Sequence, residues 1–207
     1  MITMKSLSSR QLLWVRIIVF VLAALPFLRL IYAVYADTLG ANPLEFITRN
    51  TGDWTLYFLC ISLSITPLRK LLEWHWLIRL RRMLGLYAFF YAILHFLTFL
   101  WFDHFFDLSE MWRDVVKRPF ITVGFVAFVL LIPLALTSNQ WMIRQLGGKQ
   151  WQLLHRLVYL IAPLGVLHYF WMKAGKNLLV QPLLFAGLLA LLLGLRLYWR
   201  LQSRIKR

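Results

Sequence analysis

The sequence has 207 residues, of which 61% are hydrophobic and only 15% are charged, and its formal net charge is +15. A single soluble core of this length cannot bury so much apolar surface, so the composition excludes a soluble globular domain. The lone cysteine, Cys60, excludes an intramolecular disulfide and a cysteine metal cluster.

Six apolar runs are long enough to cross a bilayer, for which a helix needs roughly 20 residues at about 1.5 Å per residue. The sequence therefore predicts an all-α membrane protein, a bundle of six transmembrane helices in one domain over residues 1–207. The predicted spans are Trp14–Tyr35, Trp54–Leu72, Met83–Phe102, Phe120–Thr137, Trp151–Trp171 and Leu179–Trp199.

The first run has a basic leader and precedes Val34-Tyr35-Ala36, as a secretory signal peptide would. It is longer than the roughly 7–15 apolar residues of such a signal, so we interpret it as a span. The two longest connections, Ala36–Asp53 and Asp103–Pro119, each have room for a small helix, and Trp112 is suited to the membrane interface.

The charges follow the predicted membrane sides, which argues against a nucleic-acid partner. With the N-terminus in the cytoplasm, sixteen of the 23 basic residues lie inside and seven of the eight acidic residues lie outside. Because the Lys/Arg bias sets orientation, we predict that both termini are cytoplasmic and that the basic face contacts membrane lipid. The inner basic residues are Lys5, Arg10, Arg16, Arg69, Lys70, Arg79, Arg81, Arg82, Arg144, Lys149, Arg156, Arg196, Arg200, Arg204, Lys206 and Arg207. The outer acidic residues are Asp37, Glu45, Asp53, Asp103, Asp107, Glu110 and Asp114.

Three of the five histidines fall inside predicted spans: His95 in the third, and His155 and His168 in the fifth. Intramembrane histidines usually mark a pathway or a cofactor, although a hydrogen bond to a neighbouring helix also accounts for any single one. Three histidines on two helices, with no carboxylate in the spans, favour haem, which needs one imidazole from each of two helices. We assign no role to His75 and His104, which fall in loop or interface positions.

Depth in the membrane distinguishes the three histidines. At about 1.5 Å per residue from the inner ends of the spans, His95 lies ~20 Å up, His168 ~25 Å and His155 only ~6 Å. We therefore prefer His95 and His168 as the pair of iron ligands, with His155 as an alternative ligand or the ligand of a second haem. On an ideal helix His155 and His168 are about 140° apart, a rotation that Pro163 can change.

Two stretches of the sequence are familiar from a known family. They are Arg79–Leu86 (RLRRMLGL), which leads to His95, and Trp151–Tyr159 (WQLLHRLVY), which leads to His168–Trp171 (HYFW). Over nearly its whole length the chain resembles the haem-binding membrane subunits of bacterial methionine sulfoxide reductase systems. The wider relatives are the ferric reductase and NADPH oxidase membrane domains, which typically carry two histidine pairs on two helices. This chain departs from them, because its third span has one histidine and Leu108 stands thirteen residues beyond it.

The resemblance implies a location in the bacterial inner membrane, a haem b ligated by His95 and either His168 or His155, and an FMN. It also implies electrons drawn from the quinone pool or a cytoplasmic flavin reductase and passed to a periplasmic, molybdopterin-containing methionine sulfoxide reductase catalytic subunit. The chain would then be the electron-transfer subunit of an oxidoreductase rather than its catalytic subunit. No G-x-G-x-x-G fingerprint of a nucleotide-binding domain is present in the sequence.

An FMN phosphate would find donors in Arg79, Arg81 and Arg82, because guanidinium forks suit phosphate oxygens. The same three arginines also fit a simple anchor on the basic inner side. For the partner, we expect the acidic outer loops Ala36–Asp53 and Asp103–Asp114 to be the docking surfaces.

Two other functions are open at this point. One is a ferric reductase-type membrane oxidoreductase, for which a separate dehydrogenase would supply the electrons. The other is a proton-coupled transporter with the histidines as a relay, although such transporters usually show repeat symmetry and broken helices.

Overall fold

A computed structural model of the chain describes residues 7–175 and 177–205. Within this part the chain forms α-helices and no β-strand, which confirms the all-α prediction. The helices are α1 (Ser9–Tyr35), α2 (Pro43–Leu71), α3 (Arg81–Thr98), α4 (Leu108–Lys117), α5 (Pro119–Leu136), α6 (Gln140–His155), α7 (Val158–Ala174) and α8 (Val180–Ile205). Lys5, Lys206, Arg207 and the side chain of Arg204, all predicted on the inner side, lie outside the described residues.

Five segments of the described chain are helical, long and apolar enough to cross a membrane, so this is a multi-pass membrane protein. They are Ser9–Tyr35, His75–Asp103, Pro119–Leu136, Gln140–Ala174 and Val180–Ser203. The other predicted span, Trp54–Leu72, falls in α2, which is long enough at 29 residues but is not among the five. Its buried side chains include the polar Thr51 and Ser62. Its exposed side chains include the apolar Ile61 and Leu68, so the polar Thr51 and Ser62 lie on the side that packs against protein.

The predicted fifth span, Trp151–Trp171, lies within one of these five segments, Gln140–Ala174, but a turn interrupts the helix near its start. α6 ends at His155, Arg156 and Leu157 form a turn, and α7 begins at Val158. The rotation of about 140° expected between His155 and His168 assumed an ideal helix throughout, which this turn interrupts.

The chain divides into two compact units, Met1–Thr98 and Phe99–Arg207, and the prediction of a single domain over residues 1–207 stays a prediction. In the first unit, α2 packs along α3 and two tyrosines of α3 bond to α1. The hydroxyl of Tyr91 donates to the carbonyl of Ala23 at 2.9 Å, and that of Tyr87 donates to the carbonyl of Phe20 at 2.8 Å. Tyr91 is fully buried and stacks on Phe58 of α2. Aromatic rings therefore form much of this core.

In the second unit, α7 packs against both α5 and α8. Two side-chain bonds join α7 to α8: the hydroxyl of Tyr169 donates to Gln181 at 2.7 Å, and the guanidinium of Arg196 donates to the hydroxyl of Tyr159 at 2.5 Å. Arg196 is buried. Its guanidinium carbon also lies 5.3 Å from the centroid of the Tyr159 ring, in a cation–π contact.

The small helix expected between Asp103 and Pro119 is confirmed as α4, which buries Met111 and Val115 and leaves Trp112 exposed. This amphipathic pattern is typical of a helix at the membrane interface. The small helix expected within Ala36–Asp53 is absent from the described residues, because α2 already begins at Pro43. Asn42 caps that start, since its side-chain oxygen accepts the N–H of Glu45 at 3.1 Å.

Candidate functional site

His95 lies near the end of α3, and its side chain reaches the backbone of α2. Its Nδ1 is 2.9 Å from the carbonyl oxygen of Thr48. A carbonyl can only accept a hydrogen bond, so Nδ1 carries the proton and Nε2 carries the lone pair of the neutral ring. Nε2 is therefore the nitrogen that a metal would take.

The imidazole can approach α2 closely because residue 52 is glycine. A Cβ added to Gly52 would lie 3.1 Å from Cε1 and 3.2 Å from Nδ1 of His95. Beside it, the hydroxyl of the buried Thr51 lies 3.0 Å from the carbonyl oxygen of Thr48 and 2.9 Å from that of Ile47. We call Thr48, Gly52 and His95 the His95 site.

A second histidine, in the other unit, is held in the same way. Nδ1 of His168 on α7 lies 2.6 Å from the carbonyl oxygen of Phe120, near the start of α5. A Cβ added to Gly124 would lie only 2.7 Å from Nδ1 and 2.9 Å from Cε1 of His168. By the same reasoning as for His95, Nδ1 is protonated and Nε2 carries the lone pair. We call Phe120, Gly124 and His168 the His168 site.

Both sites fit a haem axial ligand. Metal-ligating histidines almost always donate their other ring N–H to a carboxylate, a carbonyl or water, which fixes the tautomer and the ring orientation. Here the acceptor is a main-chain carbonyl in each case, so the arrangement adds no charge inside the membrane. In the described part of the chain no group of three or more His, Cys, Asp or Glu residues could hold a bare metal ion. Haem needs only two imidazoles.

His155, the third candidate ligand, is held differently. Its Nε2 lies 3.1 Å from the hydroxyl of Thr137, and that hydroxyl donates its own proton to the carbonyl of Pro133 at 2.7 Å. Nε2 of His155 is therefore the donor, which is the opposite tautomer to that of His95 and His168. Trp151 stacks on this ring at 4.0 Å and donates its indole N–H to the carbonyl of Thr137 at 2.9 Å. The end of α6 is thus fixed to the end of α5.

The three predicted phosphate-binding arginines do not line one cleft together. Arg79 lines a cleft of about 550 Å³ with Ser9, Leu12, Leu13 and Arg16. Arg81, the first residue of α3, is half-buried, and Arg82 is exposed; neither is among the residues that line this cleft. The structure therefore groups Arg79 with Arg16, a residue that the sequence analysis placed only among the inner charges.

The two acidic loops differ in structure. The start of α2 lines a cleft of about 310 Å³, in which Glu45 and Arg49 form an ion pair. The cleft is lined by Leu39, Asn42, Glu45, Phe46, Arg49, Asn50 and Asp53. At the start of α4, the backbone N–H groups of Glu110 and Ser109 donate to Asp107 at 3.0 and 2.9 Å, and they hold the pKa of that carboxyl below its usual range.

His104 lies in a turn, as the loop position expected from the sequence implies, but its side chain is buried. It is 4% exposed, its Nε2 lies 3.5 Å from a carboxylate oxygen of Asp114, and the ring of Phe99 packs edge-on against it. Asp114 also lies 3.5 Å from Arg118. His104 thus contributes to the packing between α4 and the residues before it.

Sequence reasoning missed Gly52, Gly124 and the two carbonyl acceptors. A glycine inside a helical pattern is a signal of close packing, because it is less favourable there than alanine. That signal was present at both positions, but it does not say which side chain approaches.

Comparisons with known proteins place the chain in one membrane-protein family. Residues 51–166 match the family described as "Ferric reductase like transmembrane component". The chain is 66% identical over 199 residues, covering 96% of the chain and 91% of the relative, to a Herminiimonas arsenicoxydans protein named "Protein-methionine-sulfoxide reductase heme-binding subunit MsrQ". Proteins of the same name from Ralstonia nicotianae (56% identity; 93% of the chain, 89% of the relative) and Rhodospirillum rubrum (52%; 88% and 86%) are also similar.

Proposed function

Because this chain belongs to the ferric reductase-like transmembrane family, among the MsrQ heme-binding subunits, we propose that it is the electron-transfer subunit of a protein-methionine-sulfoxide reductase system. In this proposal it lies in the bacterial inner membrane and passes electrons through haem b to a separate periplasmic catalytic subunit, which repairs oxidised methionine in proteins. The observation that carries the proposal is the pair of histidines whose Nδ1 protons are both donated to main-chain carbonyls.

We propose that His95 and His168 are the residues that would hold the haem iron, each through Nε2. The support is their common tautomer and their common tether, which orients the ring before the iron is bound. His155 is the less suitable ligand because its Nε2 proton is donated to Thr137. A bound haem supplies one-electron chemistry, by cycling its iron between the ferric and ferrous states.

A flavin is the second cofactor that we propose, with its phosphate bound by Arg79 on the cytoplasmic side and Arg81 and Arg82 nearby. The cleft beside Arg79 supports this, since it combines Arg16 and the Ser9 hydroxyl with the apolar Leu12 and Leu13. The phosphate of a membrane lipid could bind to the same arginines, because it presents the same oxygen acceptors as the flavin phosphate.

Replacing Arg16 and Arg79 tests whether the cleft binds a flavin phosphate or a lipid phosphate. Purified Arg16→Lys/Arg79→Lys protein keeps its charge but loses the bidentate forks, so flavin content should fall while haem content stays unchanged. Arg81→Ala/Arg82→Ala is the companion variant, and a loss of flavin only there would move the site to the start of α3. Unchanged flavin in both variants, with loss of bound phospholipid in the first, would identify the cleft as a lipid site.

We propose that the electrons come from quinol or from a cytoplasmic flavin reductase, and leave toward the acidic outer loops. The side chain of Glu110 is exposed on α4, and the helix cap uses only its backbone N–H, so this side chain is a suitable probe of docking. Glu110→Lys should slow electron transfer to the partner at low ionic strength and have little effect at high salt. The matched control is the exposed Lys117 on the same helix, because Lys117→Gln removes a positive charge and should not slow transfer.

The direct test of the function is to reduce the haem in membranes and to follow its reduced absorption band. Addition of the purified catalytic subunit together with methionine sulfoxide should reoxidise the haem rapidly, and neither addition alone should do so. Reoxidation by a ferric chelate, with no effect of the subunit, would instead support the ferric reductase-type alternative. A colourless purified protein from haem-replete cells would reject both.

A further inference from the structure

The two histidine sites share one main-chain arrangement. In each, the acceptor carbonyl belongs to a helical residue and a glycine stands four residues later, as Thr48 and Gly52 in α2 and as Phe120 and Gly124 in α5. The histidine follows its acceptor by 47 residues in the first unit and by 48 in the second. Each arrangement lies within a single unit. In both of them the histidine bonds to the carbonyl through Nδ1.

Helix geometry explains why the glycine stands at that position. Every Cα–Cβ bond of an α-helix tilts toward the N-terminus, so the side chain of a residue covers the turn before its own Cα. The carbonyl of residue i therefore lies under the side chain of residue i+4. An imidazole can therefore approach that carbonyl from the side most closely where residue i+4 has no side chain.

We propose that Gly52 and Gly124 are positioning residues for the haem, because they admit the imidazoles of His95 and His168 to the carbonyls that fix their ring planes. The inference rests on the proposed ligation of haem by these two histidines. Neither glycine touches the iron, and each acts through its histidine.

The two glycines differ in how much space they leave. At Gly124 an added methyl group would lie 2.7 Å from Nδ1 of His168, which real Cβ atoms essentially never do, so the ring would have to leave its 2.6 Å bond to Phe120. At Gly52 the nearest ring atom would be 3.1 Å away, so a shift of a few tenths of an ångström would relieve the contact. Substitution at Gly124 should therefore be the more damaging.

Other helical glycines whose surroundings the structure describes do not have this feature. A Cβ added to Gly85 in α3 would only reach the Ser62 hydroxyl, at 3.9 Å. Cβ atoms added to Gly187 and Gly194 in α8 would have no heavy atom of the described chain within 4 Å, apart from their chain neighbours and the nearby backbone of the same helix. Gly187 and Gly194 are therefore matched controls, because they change the same residue type inside a long apolar helix.

The experiment compares Gly124→Ala, Gly52→Ala, Gly187→Ala and Gly194→Ala as purified full-length proteins. Haem per protein, the ferric low-spin EPR g values and the midpoint potential are measured for each. Gly124→Ala should weaken haem binding on the order of 10- to 100-fold, the usual effect of losing a partner that orients a ligand. Gly52→Ala should keep its haem with a shifted largest g value, and the two α8 variants should match the wild type. A purely helix-stabilising role predicts no spectral change in any of them, since alanine is the better helix former.

A second measurement covers the case in which Gly124→Ala does not accumulate in membranes. His168→Gly removes the ligand, and free imidazole supplied in the buffer should then restore the low-spin spectrum by occupying the vacant position. Adding Gly124→Ala to His168→Gly should block that rescue, because the methyl group fills the space beside the Phe120 carbonyl. Adding Gly194→Ala should not.

The possible failures are distinguishable. Wild-type protein without haem would reject both the proposed function and this inference. Wild-type protein with haem, together with wild-type EPR g values in Gly124→Ala and equal imidazole rescue in both double variants, would reject the inference alone.

Discussion

α2 and α5 bond to His95 and His168 through the same main-chain arrangement, although they are very different helices. α5 has 18 residues, is one of the apolar candidate spans and buries only Ala127, Leu131 and Leu134. α2 has 29 residues, is not among those spans and buries nine side chains, including Thr51 and Ser62. The comparison indicates that this way of holding a histidine requires a main-chain carbonyl and a glycine one turn later. It does not require a particular polarity or burial of the helix.

The largest expected effect comes from removing either imidazole. His95→Ala and His168→Ala should each lose the low-spin haem spectrum, because either change leaves an iron coordination position empty. His155→Ala is the control and should keep the spectrum, since His155 is bonded through Nε2 to Thr137. Reduced-minus-oxidised spectra and haem assays on purified variants provide the measurement. If His168→Ala retains haem and His155→Ala does not, the equivalence of the His95 and His168 sites is refuted.

A second prediction asks whether α2 crosses the membrane as α5 does. Alkaline phosphatase, which is active only in the periplasm, should be active when inserted in the loop 38–41 and inactive when inserted near Glu73 or fused after Arg207. If α2 does not cross, the insertions on either side of it will give the same activity, and the C-terminal fusion will become active. That result would place the C-terminus outside and overturn the predicted orientation of both termini.

A smaller effect is expected at the His95 site, where the acceptor carbonyl has a second hydrogen-bond donor. The hydroxyl of Thr51 shares the Thr48 carbonyl with His95, so Thr51→Val should leave a better acceptor for the imidazole. The stronger bond at Nδ1 would make His95 a more basic ligand for haem iron and would favour the ferric state. The midpoint potential should fall by less than ~59 mV, which is a tenfold change for a one-electron couple. Redox titration of Thr137→Val is the control and should give no shift, because this hydroxyl bonds to His155 and to the Pro133 carbonyl and not to the acceptor of His95 or His168.

How far the site could be predicted from the sequence depends on which atoms form it. His95, His155 and His168 were identifiable because an ionisable side chain is rare in an apolar run. The acceptors were not, because every residue has a carbonyl and no residue type marks the one that is used.

The helices show a similar limit. Five of the six predicted spans correspond to apolar helical segments, since length and hydropathy are properties of the chain itself. The turn at Arg156 and Leu157 has no proline or glycine to announce it, and it accompanies the contacts of Trp151 and His155 with Thr137. Such contacts join residues far apart in sequence, which hydropathy cannot detect.

The smallest predicted effect concerns the helix starts in the two units. Asp107 caps α4 with a carboxylate, whereas Asn42 caps α2 with an amide, which does not titrate in the pH range in which a carboxyl group does. The pKa of Asp107 is lowered by the N–H groups that it accepts, so its stabilising effect is present above the ordinary carboxyl pKa and is lost as the pH falls through the lowered one. Amide hydrogen exchange at Ser109 and Glu110 should therefore gain an acid-dependent component that Asp107→Asn abolishes. The corresponding exchange at Glu45 should show no change attributable to its cap.

The use of main-chain carbonyls has a practical consequence for mutagenesis. A scan that replaces each residue by alanine leaves every carbonyl in place, so changes at Thr48 or Phe120 would remove a side chain and leave the acceptor untouched. Such a scan would not test the acceptor at either position, and at Phe120 it would also remove a ring that stacks on His168. The contribution of the backbone becomes visible only from the neighbouring position, where the substitution adds atoms instead of removing them. For this protein, the informative library is one that enlarges small residues.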